Sequence, residues 1–549
     1  MELKIVPLGG LGEFGMNCTV MECGDDAIVI DAGLMFPDES APGVDVIIPD
    51  FSYLFDSRDR IRAILLTHAH EDHAGALPYL LREIDAPVYG SALTMALIES
   101  KLSEHAVEAS RRRVAVSARD IIAAGCFEIE FLQVSHSLAD AMGMAIKTPA
   151  GNVVHSGDFK IDSTPFRGEG IDFQRLAQYS EQGVLALLSD STNAEQPGYT
   201  PSESAILRRM DEIFAASTGR IFVTCFATGL SRIQQIVELA AKHGRRLAVL
   251  GRAMIEIFDI CGRLGYLSVP QEMLVRREEI RQIPAGELVV LATGSQGEAL
   301  SAMNRISMMD YRYVQVDAGD TVIISARIIP GNERSVSGVI NRMVRRGARV
   351  FHEDVADVHV SGHASQEELK LLIRIVMPRY FIPIHGEFRQ LYAHADLARQ
   401  VGIPDENILI AETGDVVSLT PESAAITGKI DVGRVFIDVS GYGEVEETIL
   451  ADRKHLSADG FVVLVLAINK TDGSLRGAPE VIARGFLEFE DDGVLHDTQQ
   501  VCATVISELP LEERQDWAAV KEKLRREVRR FLSKRTMKRP MIIPVIMEV

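Results

Sequence analysis

The chain reads as an α/β protein: a layered sandwich whose strands end in chemically loaded loops, interrupted by an inserted α/β domain and followed by a small α+β unit. Three observations predict this. The 549 residues exceed what one hydrophobic core accommodates, so roughly two to four domains are expected. Short apolar runs in the first two hundred residues repeatedly end in His or Asp. At Thr200 the pattern switches to helices alternating with strands, and the loaded tips return only near residue 350.

Taken in order, "AIVIDAG", "RAILLTHAH", "CFEIEFLQVSHS", "GNVVHSGDF" and "VLALLSDSTN" are each an apolar run of strand length carrying an imidazole or carboxylate at its C-terminal end. Strand tips that share one edge of a sheet are where α/β proteins build sites. "TPSESAILRRMDEIF" then predicts a helix with Thr200 as N-cap, Pro201 in the first turn and Glu203 closing a capping box. The strands "RIFVTCF", "RLAVLG", "ELVVLATG" and "DTVIISA" alternate with helices, the pattern of βαβ units and a parallel sheet. "VHVSGHAS" and "YFIPIHGE" resume the loaded tips of the first part. The expected organisation is therefore one domain in two parts, 1–200 and 351–425, an insertion at 201–350, a linker at 426–449 and a C-terminal domain at 450–549. In that last domain "GFVVLVLAINK" and "QQVCATVISEL" bracket turns, with "FVVLVLAI" read as a buried strand. A helix from about Glu512 to Lys534 follows, and "MIIPVIMEV" closes as a strand.

Composition bounds the function. Apolar residues at 47% and charged residues at 25% describe an ordinary folded chain, and a net charge of −21 argues against a protein that coats nucleic acid with a basic surface. A local basic groove stays open. Arg111-Arg112-Arg113, Arg345-Arg346 and the stretch from Lys521 to Arg539 are its candidates, each read first as a solvated helix face. Six cysteines without a C-x-x-C pair fit reduced thiols in a cytosol and exclude cysteine-rich zinc modules. "MELKIVPLGG" is not a signal peptide, and no apolar run approaches the ~18 residues that span a bilayer, so a soluble cytoplasmic protein is expected, without a membrane partner. "TGSQGE" and "GGLGEFG" lack the spacing of phosphate-cradling motifs, and neither ATP nor NAD is expected.

The densest chemistry lies in "LTHAHEDHAGA", where His68, His70, Glu71, Asp72 and His73 crowd into six residues. Imidazoles this close are awkward to pack and weak as helix formers. They make sense around cations. In extended backbone His68 and His70 present their rings to one side, while Asp72 and His73 project from the turn that follows. Four ligands exceed what one tetrahedral ion takes from a short loop, so two adjacent ions are the more natural reading. Further ligands would come from other strand tips: His136, Asp158 and His385. Imidazole with carboxylate and no thiolate suits zinc first, then manganese.

The order Asp31, His68-x-His70-x-Asp72-His73, His136, Asp158 resembles the strand-end motifs of the metallo-β-lactamase fold. Asp190 in "LLSDSTN", His363 in "HVSGHAS" and His385 in "PIHGE" resemble the three additional motifs of the β-CASP nucleases. "LATGSQGE", "IIPGNE" and "PLGGLGEFGMN" are similar to one branch of these, bacterial ribonuclease J, over essentially the whole chain. The resemblance implies an αββα sandwich with an inserted β-CASP domain and a small C-terminal domain. It implies one ion on His68, His70 and His136, a second on Asp72, His73 and His385, Asp158 bridging them, and Asp31 holding a histidine from behind. Asp72, Asp190 and His363 would be the catalytic residues, with His363, oriented by Asp190, protonating the leaving 3′ oxygen. Substrate phosphate would meet His359, Val360, Ser361, Gly362 and His363, where glycine lets backbone N–H groups approach an anion. "FATGLSR" departs from the family's "FASN"-like stretch, which leaves Ser231 and Arg232 as the contacts expected there for an RNA 5′ end. Arg232, Arg252, Arg327 and Arg334 would add local attraction. The implied activity is hydrolysis of single-stranded RNA, 5′-to-3′ from a 5′-monophosphate and also internally, in RNA maturation and mRNA decay. Zn²⁺ is the first choice of ion, Mn²⁺ or Mg²⁺ the alternatives, and the implied partners are RNA, further copies of the chain as homodimer or homotetramer, and other RNA-decay proteins. Rival readings are a thioester, lactam or sulfate-ester hydrolase on the same metal loop, or an RNA-binding scaffold.

Overall fold

The computed structural model describes residues 1–549 except 39, 106, 108–112, 167–169, 330, 439–442, 487–491 and 512, so Arg111, Arg112 and Glu512 lie outside the described residues. The chain forms two compact units, Met1–Met35 with Ile48–Arg434, and Phe36–Ile47 with Val435–Val549. Among the described residues no helix is long and apolar enough to cross a membrane.

The first unit holds two stacked sheets. One runs, strand by strand, Ala424–Lys429, Asp415–Leu419, Leu3–Gly9, Cys18–Cys23, Asp26–Ile30, Ile61–Leu65, Val88–Ser91 and Arg113–Val116. The other runs Tyr380–Ile384, Val184–Asp190, Gly151–His155, Met142–Thr148, Phe127–Gln133 and Ile121–Ala124. Ile5, Met21, Ile28 and Leu65 meet Phe127, Phe131, Met144 and Ile382 between them. Strand periodicity then decides what the outer face buries. Val153, Leu188 and Ile382 point into the inter-sheet core, while Val154, Leu187 and Phe381 point outward onto the helices Phe173–Gln182, Gln366–Val376 and Phe388–Gln400.

Strand direction places the chemistry. Gly151–His155, Val184–Asp190 and Tyr380–Ile384 are parallel neighbours, so Asp158, Asp190 and His385 emerge side by side. On the facing sheet Asp26–Ile30 and Ile61–Leu65 are also parallel, delivering Asp31 and the 68–73 loop to the same edge. The inserted domain is a parallel sheet in the order Arg246–Leu250, Leu288–Ala292, Ile221–Cys225, Thr321–Ser325, Arg349–Phe351. One apolar face of that sheet, through Val223, Leu247, Leu291 and Ile323, continues into a cluster that includes Ala69 and Leu138 beside the histidine motifs.

Two local readings change, and one segment to which the sequence assigns no element gains one. The helix after Thr200 spans Glu203–Ala216 and is capped by Ser202, whose hydroxyl accepts from the Ser204 amide at 3.2 Å. Thr200 instead donates its hydroxyl to the His363 carbonyl and its amide to Glu368, and Glu203 turns inward to buried cations. "VHVSGHAS" is no strand, because side chains satisfy its backbone: Arg232 and Ser325 bond the Val358 carbonyl, His136 the Gly362 carbonyl, Asn193 the His363 carbonyl. "QQVCATVISEL" lies within the helix Asp492–Glu508 and its end, since Cys502, Val505, Ile506 and Leu509 recur at helical spacing and fill the second unit's core.

That second unit carries a sheet ordered Glu480–Arg484, Phe461–Ile468, Met541–Glu548. Phe461–Ile468 buries only alternate residues, so "FVVLVLAI" is half covered rather than enclosed. Its other long helix starts at Trp517, where Asp516 accepts from the Ala518 and Ala519 amides, and ends at Thr536.

Glu203 yields a pH prediction. Its carboxylate lies 2.8 Å from Arg232 Nη2 and 3.4 Å from Lys160 Nζ. Burial alone would raise its pKa, but the two cations outweigh it and hold the group at about 2 against an ordinary 4.5. A pKa lowered by folding contributes stability above about pH 4.5 that is lost as pH falls towards 2. Glu203→Gln is expected to cost about 3 kcal/mol at pH 7 and to flatten the stability profile across that window, read by denaturant melts.

Candidate metal centre

The 68–73 loop is held from behind. Asp72 carbonyl accepts from the Asn17 amide at 3.0 Å, and His73 carbonyl from the Ala32 amide at 2.7 Å. A Cβ on Gly33 would stand 1.7 Å from the Asp72 carbonyl oxygen, which explains a glycine after Asp31. His70 is extended and Glu71–Ala74 forms one helical turn, so His68 and His70 face inward before Asp72 and His73 swing round.

Five imidazoles then share one arrangement, in which one ring nitrogen is tied outward and the other turned inward. Thr67 donates its hydroxyl to Asp31 Oδ2 at 2.8 Å and so accepts from His68 Nδ1 at 3.0 Å. His73 Nδ1 donates to Asp31 Oδ2 at 2.8 Å, and His136 Nδ1 to the Gly362 carbonyl at 2.9 Å. Thr192 donates to Asp190 Oδ1 and accepts from His385 Nδ1, both at 2.7 Å. His70 is tied through Nε2, 3.0 Å from the Thr228 hydroxyl.

The inward atoms fall into two groups. His68 Nε2, His70 Nδ1 and His136 Nε2 are 2.8 and 3.2 Å apart along the series, with Asp158 Oδ2 at 3.7 Å from His68 and 3.9 Å from His136. Asp72 Oδ2, His73 Nε2 and His385 Nε2 lie 3.3–3.6 Å apart around Asp72, with the same Asp158 Oδ2 at 3.2 Å from His73 and 3.7 Å from His385. Ligands about 2.05 Å from a tetrahedral ion are about 3.3 Å from one another, so both groups have the dimensions of a cation site. Burial keeps His136 at about 3, His70 at about 4 and His68 well below its ordinary range, so their lone pairs are free at neutral pH. At His73 and His385 burial opposes charge, but Asp158 together with Asp72 and, respectively, Asp31 or Asp190 outweighs it, raising the first well above its ordinary value and the second to about 9. Without a cation a proton answers the same carboxylate. The residues fit divalent metal.

Two site residues are held in strained backbone. Asp31 and His385 both adopt left-handed φ, 62° and 57°, a conformation that costs non-glycine residues about 1–3 kcal/mol. Thr67 amide and hydroxyl hold the first, each at 2.8 Å. Asp190 combines two roles: Oδ1 accepts from the Thr192 amide at 2.9 Å as an Asx turn, and Oδ2 accepts from His363 Nδ1 at 2.8 Å. His363, 4.0 Å from Asp158, is thereby brought to the same cluster; burial opposes its charge, but Asp190 and Asp158 together raise its pKa.

Of the remaining expected contacts, Gly362 and Ser361 lie against the site, Ser361 accepting from Asn193 at 2.8 Å. Val360 packs into the inserted domain's core and His359 sits beside Phe226. Ser231 is half-buried in the first turn of the helix Leu230–Lys242. Arg232 corrects an expectation: it is 6% exposed, and all three guanidinium nitrogens are occupied by Glu203, Gln235, Ser325 and the Val358 carbonyl. It ties the interior together instead of drawing in substrate. Arg252 pairs with Glu104, Arg334 is exposed, and exposed Arg327 reaches Asn193 at 3.1 Å. Sequence reasoning missed Thr67, Thr192 and Thr228; each hydroxyl follows a strand tip, but nothing in a threonine announces which ring it will meet.

Imidazoles and carboxylates gathered in this way on the edge of a two-sheet sandwich define a metallo-hydrolase, and residues 11–193 match the pattern of the metallo-beta-lactamase superfamily. The remaining segments are narrower in what they match: the ribonuclease J beta-CASP domain at 218–343, the Zn-dependent metallo-hydrolase RNA specificity domain at 348–410, and the ribonuclease J C-terminal domain at 448–549. Ribonuclease J of Synechocystis sp. is 44% identical over 485 residues, covering 88% of this chain and 75% of its own. Ribonuclease J2 of Bacillus subtilis is 37% identical over 548 residues, covering 100% of this chain and 99% of its own. A crystal structure of a protein of unknown function from Enterococcus faecalis V583 shares the fold, with TM-score 0.53 and 15% identity over 76% of this chain and all of that one. The chain belongs to the ribonuclease J family of metal-dependent ribonucleases.

A Cβ on Gly362 would fall 2.7 Å from His136 Cε1 and 2.8 Å from its Nδ1. Gly362→Ala is therefore expected to displace His136 and lower the amount of bound divalent metal while leaving far-ultraviolet circular dichroism unchanged, checked by elemental analysis.

Proposed function

We propose that this chain hydrolyses RNA phosphodiester bonds using two divalent cations, zinc in the first place with manganese or magnesium as alternatives. The observation that carries the reading is the single Asp158 oxygen common to both ligand groups, within 3.9 Å of four ring nitrogens. His68, His70 and His136 would hold one cation, Asp72, His73 and His385 the other, and Asp158 both. When bound, such a pair supplies a nucleophilic water at neutral pH and offsets charge on the phosphate oxygens. The chain's own groups do the rest. Asp31, Thr67 and Thr192 hold ligand rings in the tautomer with an inward lone pair. Asp190 fixes His363 through Nδ1, leaving Nε2 to hold a proton for the departing 3′ oxygen. Asp72, at the rim of the cluster and more exposed than Asp158, is the ligand placed to meet substrate. Residues 201–350 form one wall of the cleft, and the parts 1–200 and 351–425 the other.

The proposed substrate is single-stranded RNA carrying a 5′-monophosphate, degraded 5′-to-3′, with internal cleavage as a second activity, in cytoplasmic RNA maturation and mRNA decay. Two cations concentrate positive charge where phosphates arrive, which reconciles an acidic chain with an RNA substrate. Assembly as a homodimer or homotetramer, and association with other RNA-decay proteins, complete the proposal. Ile482, Ile543, Val545 and Met547, exposed on the C-terminal sheet, support the first of these.

End-labelled RNA with 5′-monophosphate, triphosphate or hydroxyl ends tests this directly. Mononucleotide release from the monophosphate alone marks the exonuclease, and internal fragments the endonuclease. Dialysis against a chelator should abolish both and a divalent cation restore them. His70→Ala should cut turnover about a thousandfold, the several kcal/mol that a metal position supplies to the transition state; wild-type cleavage by that variant would overturn the two-cation reading.

A further inference from the structure

The five imidazoles differ in where their outer ties come from. Asp31, Thr67 and Thr192 precede or flank the inserted domain and belong to the sandwich, and Gly362 lies on the chain returning to it. His70 alone is tied by the inserted domain. Its partner Thr228 sits in the turn between the strand Ile221–Cys225 and the helix Leu230–Lys242. The turn is closed on itself, the Gly229 amide donating to the Phe226 carbonyl at 3.0 Å and the Leu230 amide to the Thr228 carbonyl at 2.9 Å. A second contact reinforces the tie. Ala69, between the two histidines, and Leu138, two residues after His136, are buried in the same apolar cluster as Leu230 and Ile233 of that helix.

We propose that Thr228 is a positioning residue for the cation site of His68, His70 and His136, so that this site is complete only when the inserted domain is seated on the sandwich. The inference rests on the two-cation reading above. His70 turns Nδ1 towards the other ligands, so a neutral ring carries its hydrogen on Nε2, and Thr228 is the acceptor that selects this tautomer. Removing the hydroxyl leaves the ring free to rotate or to carry its proton inward, where it competes with the cation. Outer partners of ligating histidines are worth about 10- to 100-fold in metal affinity, and a neutral hydroxyl belongs at the lower end. Because coupling between two equilibria is reciprocal, a cation on His70 must in turn steady the turn around Thr228.

Chelator competition on the full chain, with zinc as the probe, tests the proposal. Thr228→Val keeps the shape and removes the hydroxyl, Thr228→Ala removes both, and Thr228→Ser keeps the hydroxyl. Two bound equivalents are expected in the wild type. One should be released about tenfold more readily from the Val and Ala variants, while Ser restores it and the second equivalent is unchanged. The melting temperature of the metal-free Val and Ala variants should fall only slightly, by the one hydrogen bond to His70, whereas a merely structural threonine would loosen both equivalents together. Hydrogen exchange of residues 226–230 should slow when zinc is added to the wild type and not to Thr228→Val. Equal zinc release from wild type and Thr228→Val overturns the inference, as does a Ser variant no better than Val. A wild type that binds no zinc overturns the two-cation reading itself, and the inference with it.

Discussion

Asp158 is the point on which the centre turns. A carboxylate 3% exposed, surrounded by imidazoles at 3.2–4.0 Å, has no solvent to stabilise its charge. Its neighbours must supply that stabilisation, with protons or with cations. Everything nearby follows from the need to turn one nitrogen of each ring towards this oxygen while the other is held away from it. Each ring is therefore tied by its far nitrogen to an oxygen on the outer side of the cluster. The result is a set of lone pairs with the spacing of two tetrahedral ions sharing one oxygen.

That constraint reaches into the fold. Two sheets had to bring their parallel strands to the same edge, since an antiparallel neighbour would have sent Asp158, Asp190 or His385 to opposite ends. The irregular segment Val358–Ser365 is the complementary device. Giving up ladder bonds frees its carbonyls to orient His136 and to receive Arg232, Ser325, Asn193 and Thr200. The buried Arg232–Glu203–Lys160 group stands behind it, so internal charge shapes the segment that carries His363. An arginine in this position is a strut, and the acidic chain has no need of it as an attractant.

Much of this was legible in the sequence. Five loaded strand tips, the change of pattern at Thr200 and the H-x-H-x-D-H cluster are local statements, readable because strand periodicity and ligand chemistry act over a few residues. The misreadings have local causes too. Thr200-Pro201 and Ser202 both satisfy a helix-start pattern, and only the demand of the His363 carbonyl for a donor decides that Ser202 is the cap. "QQVCATVISEL" reads only as bracketing turns, and it is Cys502, Val505, Ile506 and Leu509 sharing one core that makes it helical. "VHVSGHAS" alternates like a strand, yet Arg232, His136 and Asn193, each more than a hundred positions away, take its carbonyls.

By itself the sequence determined which side chains carry lone pairs, that they cluster at strand ends, and that their types suit hard or borderline divalent cations, because these are properties of residue identity and short-range spacing. Tertiary structure alone decided which nitrogen of each ring faces inward, that one oxygen of Asp158 serves both groups, and that a threonine of the inserted domain stands behind His70. A ring's two nitrogens are equivalent in a string of letters. They become different only when a partner, 42 to 226 positions distant or next in the chain, takes hold of one of them.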